Sequence, residues 1–225
     1  QWSQTGRMGS TNDAQALWRS DDVVEYVLQK PLVTEPGGRF LYSNGTAALL
    51  GAVLENATGM EVGSFAEEFL FGPLGITDYL WTAYPDGTVE TDGGLALRPR
   101  DLAKIGQTFL REGWWKENQI VPADWIRRST AERFRYGSVG SAPLGYGSFW
   151  MQTEFPTPEG TVSSFFHPGD GGQLLMVVPQ LDLVAVFTAG NYGVDVARTY
   201  HGIMKDHVLP AVTRGVANRE AGGLG

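Results

Sequence analysis

The stretch that most constrains the fold is PGGRFLYSNG, residues 36–45. Pro36 restricts φ and the two glycines after it permit a tight bend, so the sequence predicts a stiff turn just before Tyr42 and Asn44. A phenol and an amide two residues apart on such a loop can both point toward a cleft. Two plainer interpretations stay open: Tyr42 is a packed aromatic residue, and Asn44 or Thr46 caps the helix that follows.

The residues on both sides of this stretch have helical patterns. Asp22 offers an N-cap for a short helix that begins at Val23 and stops before Pro31, and Gly59 stands where a left-handed residue ends a helix that starts at Asn44. Later helices are predicted over Ser64–Leu70, from Pro99, and after Pro122. The helix over Ser64–Leu70 is predicted to turn Phe65, Phe69 and Leu70 inward, and the helix from Pro99 to bury the apolar stripe Leu102, Ile105, Phe109 and Leu110. The second helix is predicted to bury one apolar face, made of Leu49, Leu50, Val53, Leu54 and Ala57.

The composition changes after Phe134. Short β-branched and aromatic runs, separated by Gly, Pro and Asp turns, predict antiparallel strands at Tyr146–Thr153, Thr161–His167, Gln173–Val178 and Leu183–Thr188. The run LVAVF at 183–187 is apolar throughout, as in a strand that helices cover on both faces. The helix that we predict over Val194–Leu209 supplies one such cover. The expected class is α+β, with a mostly helical lobe at 1–134, an antiparallel sheet flanked by helices at 135–212, and a polar tail at 213–225.

Composition excludes several kinds of function. The 225 residues are 42% hydrophobic and carry a formal charge of −8 without a basic stripe, which argues against a nucleic-acid partner. Without cysteine the chain has no disulfide and no thiol nucleophile, and no apolar run is long enough to be a transmembrane segment. His201 and His207 lie six positions apart on one predicted helix and do not face each other, so no metal site is expected. We expect no cofactor.

A second chemical candidate is the segment FFHPGDGGQ, residues 165–173. His167 ends a predicted strand, and the glycines after it let backbone N–H groups approach a ligand closely. No Gly-Lys-Ser or Gly-Lys-Thr follows, so a phosphate loop is not indicated. A simple hairpin turn with a histidine at the end of a strand remains the alternative.

Taken together, these segments resemble the serine β-lactamase and penicillin-binding-protein superfamily, and within it the class C-like, esterase-type branch. Most of residues 20–212 carry the resemblance. Its motifs follow one another in the family's order, namely EPGGRFLYSN at 35–44, FGPLGI at 71–76, RDLAK at 100–104, GDGGQ at 169–173 and DLVAVF at 182–187. The resemblance implies a β-lactamase/transpeptidase-like fold.

The resemblance also implies roles for the two candidates. Tyr42 and Asn44 match the family's Tyr-x-Asn, and His167 and Gly169 match its His-x-Gly. Tyr42 would accept the proton of a serine, with His167 as a helper, Asn44 would bind a substrate carbonyl, and the N–H of Asp170 would stabilise an oxyanion. Gly169, Gly171 and Gly172 would let the substrate approach the backbone. Where the family often has lysine this chain has His167, and the loss of a permanent cation favours small esters or amides as substrates.

The family's Ser-x-x-Lys is missing, because no serine of this sequence has lysine three positions later. The chain opens with QWSQTG, which resembles neither an initiator sequence nor a signal peptide, so we expect it to begin within a longer protein, after that motif and the first strands. The cellular compartment cannot be read from it. The implied function is a serine hydrolase whose nucleophile lies outside this chain, on the same protein or on a separate piece. The alternative is an inactive binding module of the same fold. Alone, the 225 residues are expected to be inactive and to leave a sheet edge open.

Overall fold

The computed structural model describes residues 13–194 and 196–213. Within it the chain divides into two compact units, with the division after Arg98. Each unit is described by itself below. Our predictions for the first twelve residues and for the tail after Thr213 lie outside the described residues. The placement of both units in a single family domain stays a prediction.

The first unit consists of helices and one long hairpin. Its elements are α1 (Asp13–Leu17), α2 (Val23–Leu28), α3 (Asn44–Thr58), α4 (Val62–Ala66), a π-helical turn (Glu67–Phe71), α5 (Gly72–Leu74), β1 (Tyr79–Trp81) and β2 (Leu95–Leu97). The predicted cap of α2 is confirmed, since the Asp22 carboxylate accepts a hydrogen bond from the Glu25 N–H at 2.8 Å. Gly59 ends α3 with a left-handed φ of 70°, also as predicted.

Two predictions about buried faces in this unit are wrong. On α3 the buried residues are the small Gly45, Ala48 and Gly51, whereas Leu50 and Val53 expose 48% and 59% of their surface. Small residues let other backbone segments approach this face closely, so the larger side chains take the outer side. Further along, a π turn at Glu67–Phe71 shifts the helical register. Phe71 is therefore buried, and Phe69, which we expected inside, is exposed.

The second unit contains the main sheet. Its elements are α6 (Pro99–Leu110), β3 (Trp114–Trp115), β4 (Asn118–Gln119), α7 (Ala123–Thr130), β5 (Phe134–Val139), β6 (Ala142–Tyr146), β7 (Met151–Thr157), β8 (Gly160–Gly169), β9 (Gln173–Val178), β10 (Leu183–Phe187), α8 (Ala197–Ile203) and a π-helical turn (Met204–Val208). Strands β5 to β10 form a six-stranded antiparallel sheet in which each strand pairs with its neighbour along the chain. This architecture confirms the predicted fold class.

Helices cover both faces of this sheet. Leu102, Ile105 and Phe109 of α6 pack on a buried cluster that includes Phe165 and Val177. Successive side chains of a strand point to opposite faces, so Phe166 faces the other way. There its ring lies 6.4 Å from that of Tyr200 on α8, measured between centroids. The sheet is thus the middle layer of this unit.

Two strand predictions need correction. Tyr146–Thr153 is not one strand, because a turn separates β6 from β7: the Gly147 N–H donates to the Trp150 carbonyl at 2.7 Å and Phe149 has a φ of 65°. The second correction concerns β10, which lies at the edge of the sheet with all five residues half-buried rather than fully covered. The predicted strands at Thr161–His167, Gln173–Val178 and Leu183–Thr188 match β8, β9 and β10.

Candidate active site

The loop before Tyr42 has the predicted turn. The Gly38 N–H donates to the Glu35 carbonyl at 2.9 Å, and Gly37 has a φ of 79°, as a type II turn with proline at its second position requires. From this turn the chain runs to Ser43, which is extended and starts α3. Tyr42 and Asn44 therefore lie at the junction of a stiff loop and a helix.

The two plainer interpretations of the triplet are not what the structure shows. Tyr42 exposes 42% of its surface, so it is not a packed core residue. Ser43 is the N-cap of α3 and makes no side-chain capping bond. Asn44 is the first residue of the helix, and its amide Nδ2 donates to Asp92 Oδ2 at 2.7 Å. The amide is thus held by a carboxylate from the hairpin of the same unit.

Asp92 is a functional candidate that our reading of the sequence missed. It lies between β1 and β2, near Gly94, whose φ is 69°. Its Oδ2 also accepts a hydrogen bond from Trp18 Nε1 at 3.0 Å, and its Oδ1 accepts one from the Tyr84 hydroxyl. Nothing in the sequence near Asp92 indicates partners this far away along the chain.

The second candidate segment forms the connection between β8 and β9. His167 pairs with Leu175 in the sheet, and Gly169 pairs with Gln173. Between the strands, Asp170–Gly172 makes a short 3-10 turn in which Gly171 and Gly172 have φ values of 73° and 97°. Only glycine adopts these values without strain, so the turn depends on both residues.

The turn is packed against the segment that follows β10. The Asn191 N–H donates to the Gly171 carbonyl at 2.9 Å. The Tyr192 ring packs so closely against Gly171 that a β-carbon at this position would lie 2.7 Å from the nearest ring atom. The Gln173 amide donates to the Ala189 carbonyl. Asp170 is exposed, and its carboxylate accepts a hydrogen bond from the Gly171 N–H at 2.8 Å. Residues 189–192 therefore hold the backbone of this turn in place.

His167 stands at the end of β8 next to the aromatic cluster of the sheet. Its ring meets the Trp150 ring edge-on, with 6.4 Å between the centroids. Desolvation by the surrounding protein atoms lowers the pKa of His167 below its ordinary value of 6.5, and the backbone at Pro168 acts in the opposite direction. Since the side chain has an exposed surface, water limits this effect. At neutral pH the ring is uncharged, so it supplies no permanent positive charge.

Other polar features of the described residues add no candidate catalytic residue. His201 stacks on Phe155 with 4.7 Å between ring centroids, and burial lowers the pKa of its imidazole. Among the described residues, no cluster of three or more His, Asp and Glu can hold a metal ion, and no helix is long and apolar enough to span a membrane. A cavity of about 300 Å³ in the second unit, with Glu132, Arg135 and Gln152 in its lining, contains none of the predicted site residues.

The predicted site residues therefore fall into two groups. Tyr42 and Asn44 belong to the first unit, where the structure joins Asn44 to Asp92. His167 and the segment Gly169–Gly172 belong to the second unit, where they share the end of β8 and the turn that follows.

Comparison with known proteins identifies the family. A family model described as Beta-lactamase matches residues 3–205. The 6-aminohexanoate-dimer hydrolase of Paenarthrobacter ureafaciens is 26% identical over 88% of this chain and 52% of its own length. A protein of Escherichia coli O157:H7 with the provisional name D-alanyl-D-alanine carboxypeptidase is 35% identical over 74% of this chain and 49% of its own length. The chain thus spans about half the length of these curated relatives.

The solved structures agree on the fold. A protein of Bacillus anthracis, provisionally named a 6-aminohexanoate-dimer hydrolase, superimposes with a TM-score of 0.74 over 95% of this chain and 58% of its own. Only 18% of the aligned residues are identical, so the likeness supports the fold alone.

Proposed function

Because the chain belongs to the beta-lactamase family, we propose that it is part of a serine hydrolase that acts on a small ester or amide through an acyl-serine intermediate. The observation that carries the proposal is the exposure and hydrogen bonding of the Tyr-x-Asn triplet. Tyr42 is open to solvent, and the Asn44 amide is held by Asp92 instead of capping the helix. Side chains that are both accessible and held are typical of a catalytic site rather than of a core.

The proposed reaction has two steps. The serine oxygen attacks the substrate's carbonyl carbon and loses its proton to a base, the bond to the leaving group breaks, and the leaving alcohol or amine takes up a proton. Water then attacks the acyl-serine, which releases the acid and restores the serine hydroxyl. We assign the proton transfer of the first step to Tyr42. We assign to Asn44 a hydrogen bond to the carbonyl oxygen of the substrate.

In the second unit, we propose that the turn after β8 forms part of an oxyanion site. We propose the backbone N–H of Asp170 as one oxyanion donor. Gln173, Tyr192 and Ala189 pack closely against the three glycines around it, so a substrate would approach this N–H from the exposed side of Asp170. Gly169, Gly171 and Gly172 carry no side chain that would cover this N–H. The left-handed φ values of Gly171 and Gly172, together with the hydrogen bond from Asn191, hold the turn in shape.

We infer the substrate class from the charge at position 167. A lysine there would carry a permanent positive charge and attract a substrate carboxylate, whereas a histidine, whose ordinary pKa of 6.5 is lowered further here by burial, is mostly uncharged at neutral pH. Neutral esters and small amides therefore fit this position better than anionic β-lactams. The names of the relatives, a carboxypeptidase and a hydrolase of 6-aminohexanoate dimer, are a reason to keep amides beside esters.

The nucleophile is proposed to lie outside residues 1–225, because no Ser-x-x-Lys occurs in the sequence. It would reside on the same polypeptide or on a separate piece that associates with this one. An inactive binding module of the same fold is the alternative, and the experiment below distinguishes the two.

The test is the substitution Tyr42→Phe in the protein that includes the nucleophile. We expect hydrolysis of p-nitrophenyl acyl esters to fall about a hundredfold, as the loss of a general base produces. Tyr79→Phe is the matched control, since the Tyr79 hydroxyl donates to Glu67 on the surface of the same unit. Equal rates for Tyr42→Phe and the wild type would contradict the role of Tyr42. A wild type that binds esters and amides but turns none over would favour the binding module.

A further inference from the structure

Asp92 is the point at which three distant segments of the first unit meet. Its carboxylate accepts hydrogen bonds from Trp18 at the end of α1, from Asn44 at the start of α3, and from Tyr84 within the hairpin. No Lys, Arg or His among the described residues forms an ion pair with it. The three donors are neutral groups, so together they stabilise the carboxylate by charge-assisted hydrogen bonds.

This arrangement determines which way the Asn44 amide faces. An ionised carboxylate has only acceptors, so the atom of Asn44 that meets Asp92 Oδ2 at 2.7 Å must be the Nδ2 donor. This fixes the direction of the second Nδ2 hydrogen, which is the donor that a substrate carbonyl requires, and of the carbonyl Oδ1. A neutral partner with both donors and acceptors would permit either orientation.

Asp92 is itself held firmly. The neighbouring Thr91 hydroxyl donates to the Ala47 carbonyl in the first turn of α3 at 2.9 Å, and a β-carbon on Gly51 would lie 2.9 Å from the Thr91 side chain. Tyr84 is 4% exposed, and burial together with the Asp92 carboxylate raises the pKa of its phenol. The phenol therefore keeps its proton and remains a donor to Asp92.

We propose that Asp92 is a positioning residue that sets the orientation of the Asn44 amide for substrate recognition. The proposal rests on the proposed function for the role of Asn44, whereas the orientation of the amide is a property of the folded first unit alone. Asp92 does not contact the substrate in this scheme. It acts through Asn44, with Trp18 and Tyr84 completing the hydrogen bonds of its carboxylate.

A purely structural Asp92 would behave differently from a positioning one. If it only stabilises the unit, Asp92→Asn lowers the folded fraction and leaves the kcat of the remaining folded molecules unchanged. If it orients Asn44, the folded molecules themselves have a lower kcat. Asp86→Asn is the matched control, because Asp86 accepts hydrogen bonds from the Thr88 N–H and hydroxyl in the same hairpin and not from Asn44.

The kinetic test is a double-mutant cycle in the protein that includes the nucleophile. We expect Asp92→Asn to lower kcat about tenfold to a hundredfold at constant folded concentration, as a misplaced recognition group does. In an Asn44→Ala background the same substitution should have no further effect. Additive losses from the two substitutions would overturn the proposal, and so would an Asp86→Asn variant that loses as much activity as Asp92→Asn.

A second measurement does not depend on activity. With ¹⁵N-labelled asparagine, the side-chain amide signals of Asn44 should shift in Asp92→Asn. Those of Asn56, which donates to the Ala52 carbonyl near the other end of α3, should stay in place. An unchanged Asn44 signal would overturn the proposal whatever the enzyme does. A shifted Asn44 signal in a protein whose Asn44→Ala variant retains full activity would support the orientation by Asp92 and contradict the proposed catalytic role of Asn44.

Discussion

Gly106 on α6 faces Val184 on β10 so closely that a β-carbon at position 106 would lie 2.7 Å from Val184 Cγ1. The same atom would lie 2.7 Å from Leu175 Cδ1 on β9. Contacts below 3 Å require neighbours to move, and both neighbours are branched side chains of the sheet. This glycine therefore sets how closely helix and sheet pack within the second unit.

We predict that Gly106→Ala destabilises the protein by about 1–2 kcal/mol, because overpacking outweighs the gain in helix propensity. Gly202→Ala is the matched control, since it is also helical and a β-carbon there meets nothing within 4 Å. It should stabilise the protein by about 0.5–1 kcal/mol. Urea unfolding of both variants measures the difference, and a stabilising Gly106→Ala would contradict the packing argument.

Gly171 provides a test of the turn that contains the proposed oxyanion donor. Gly171→Ala places a β-carbon on a residue with a φ of 73°, at 2.7 Å from the Tyr192 ring. Left-handed backbone costs a non-glycine residue about 1–2 kcal/mol, and the ring adds a steric conflict, so the turn must shift. In the protein that includes the nucleophile, we expect kcat/KM to fall at least about tenfold if this loss is expressed in the transition state.

Two further variants separate the causes of this loss. Gly190→Ala, where a β-carbon meets nothing within 4 Å, should keep its activity. Adding Tyr192→Ala to Gly171→Ala should restore part of the rate, because it removes the steric conflict and leaves the backbone strain. Full activity of Gly171→Ala would show that this turn takes no part in catalysis.

Tyr84 makes the stability of the protein sensitive to alkali. Burial first, and then the hydrogen bond to Asp92, raise the pKa of Tyr84 above its ordinary value of 10.0. Above pH 10 the unfolded state loses the phenol proton and the folded state retains it, so this group's contribution to stability falls as pH rises. The limiting slope for one such group is about 1.4 kcal/mol per pH unit. Tyr84→Phe should therefore lose less stability than the wild type between pH 9 and pH 11, measured by thermal unfolding. If the stability of Tyr84→Phe and of the wild type fell in parallel over this pH range, the prediction would be wrong.

Local patterns predicted much of the fold. The cap at Asp22, the glycine that ends α3 and the limits of β9 follow from rules that act within a few residues, and all three are observed. The apolar stripe of α6 was also predicted correctly, because a strong 3.6-residue period leaves one possible buried face.

The errors concern properties that depend on distant parts of the chain. The buried side of α3 is decided by the hairpin, where Thr91 touches Gly51, and not by the hydrophobicity of α3 itself. Phe149 has a left-handed φ that no rule of sequence assigns to phenylalanine, so the turn between β6 and β7 was read as part of a strand. The hydrogen bonds of Asp92 to Trp18 and Asn44 could not be predicted either, since these partners are not its neighbours in sequence.

The contacts made by the two groups of predicted site residues join positions that are separated by very different lengths of chain. The turn at Gly169–Gly172 joins adjacent strands, whereas Asp92 reaches Asn44 over 48 positions and Trp18 over 74. Longer loops cost more closure entropy, and long-range contacts form more slowly during folding. The hairpins of the sheet are thus expected to form early, and the Asn44 amide to acquire its orientation late. A chain with all the helices of the first unit in place would still lack the contact between Asp92 and Asn44, so the formation of this contact is expected to mark the end of folding in that unit.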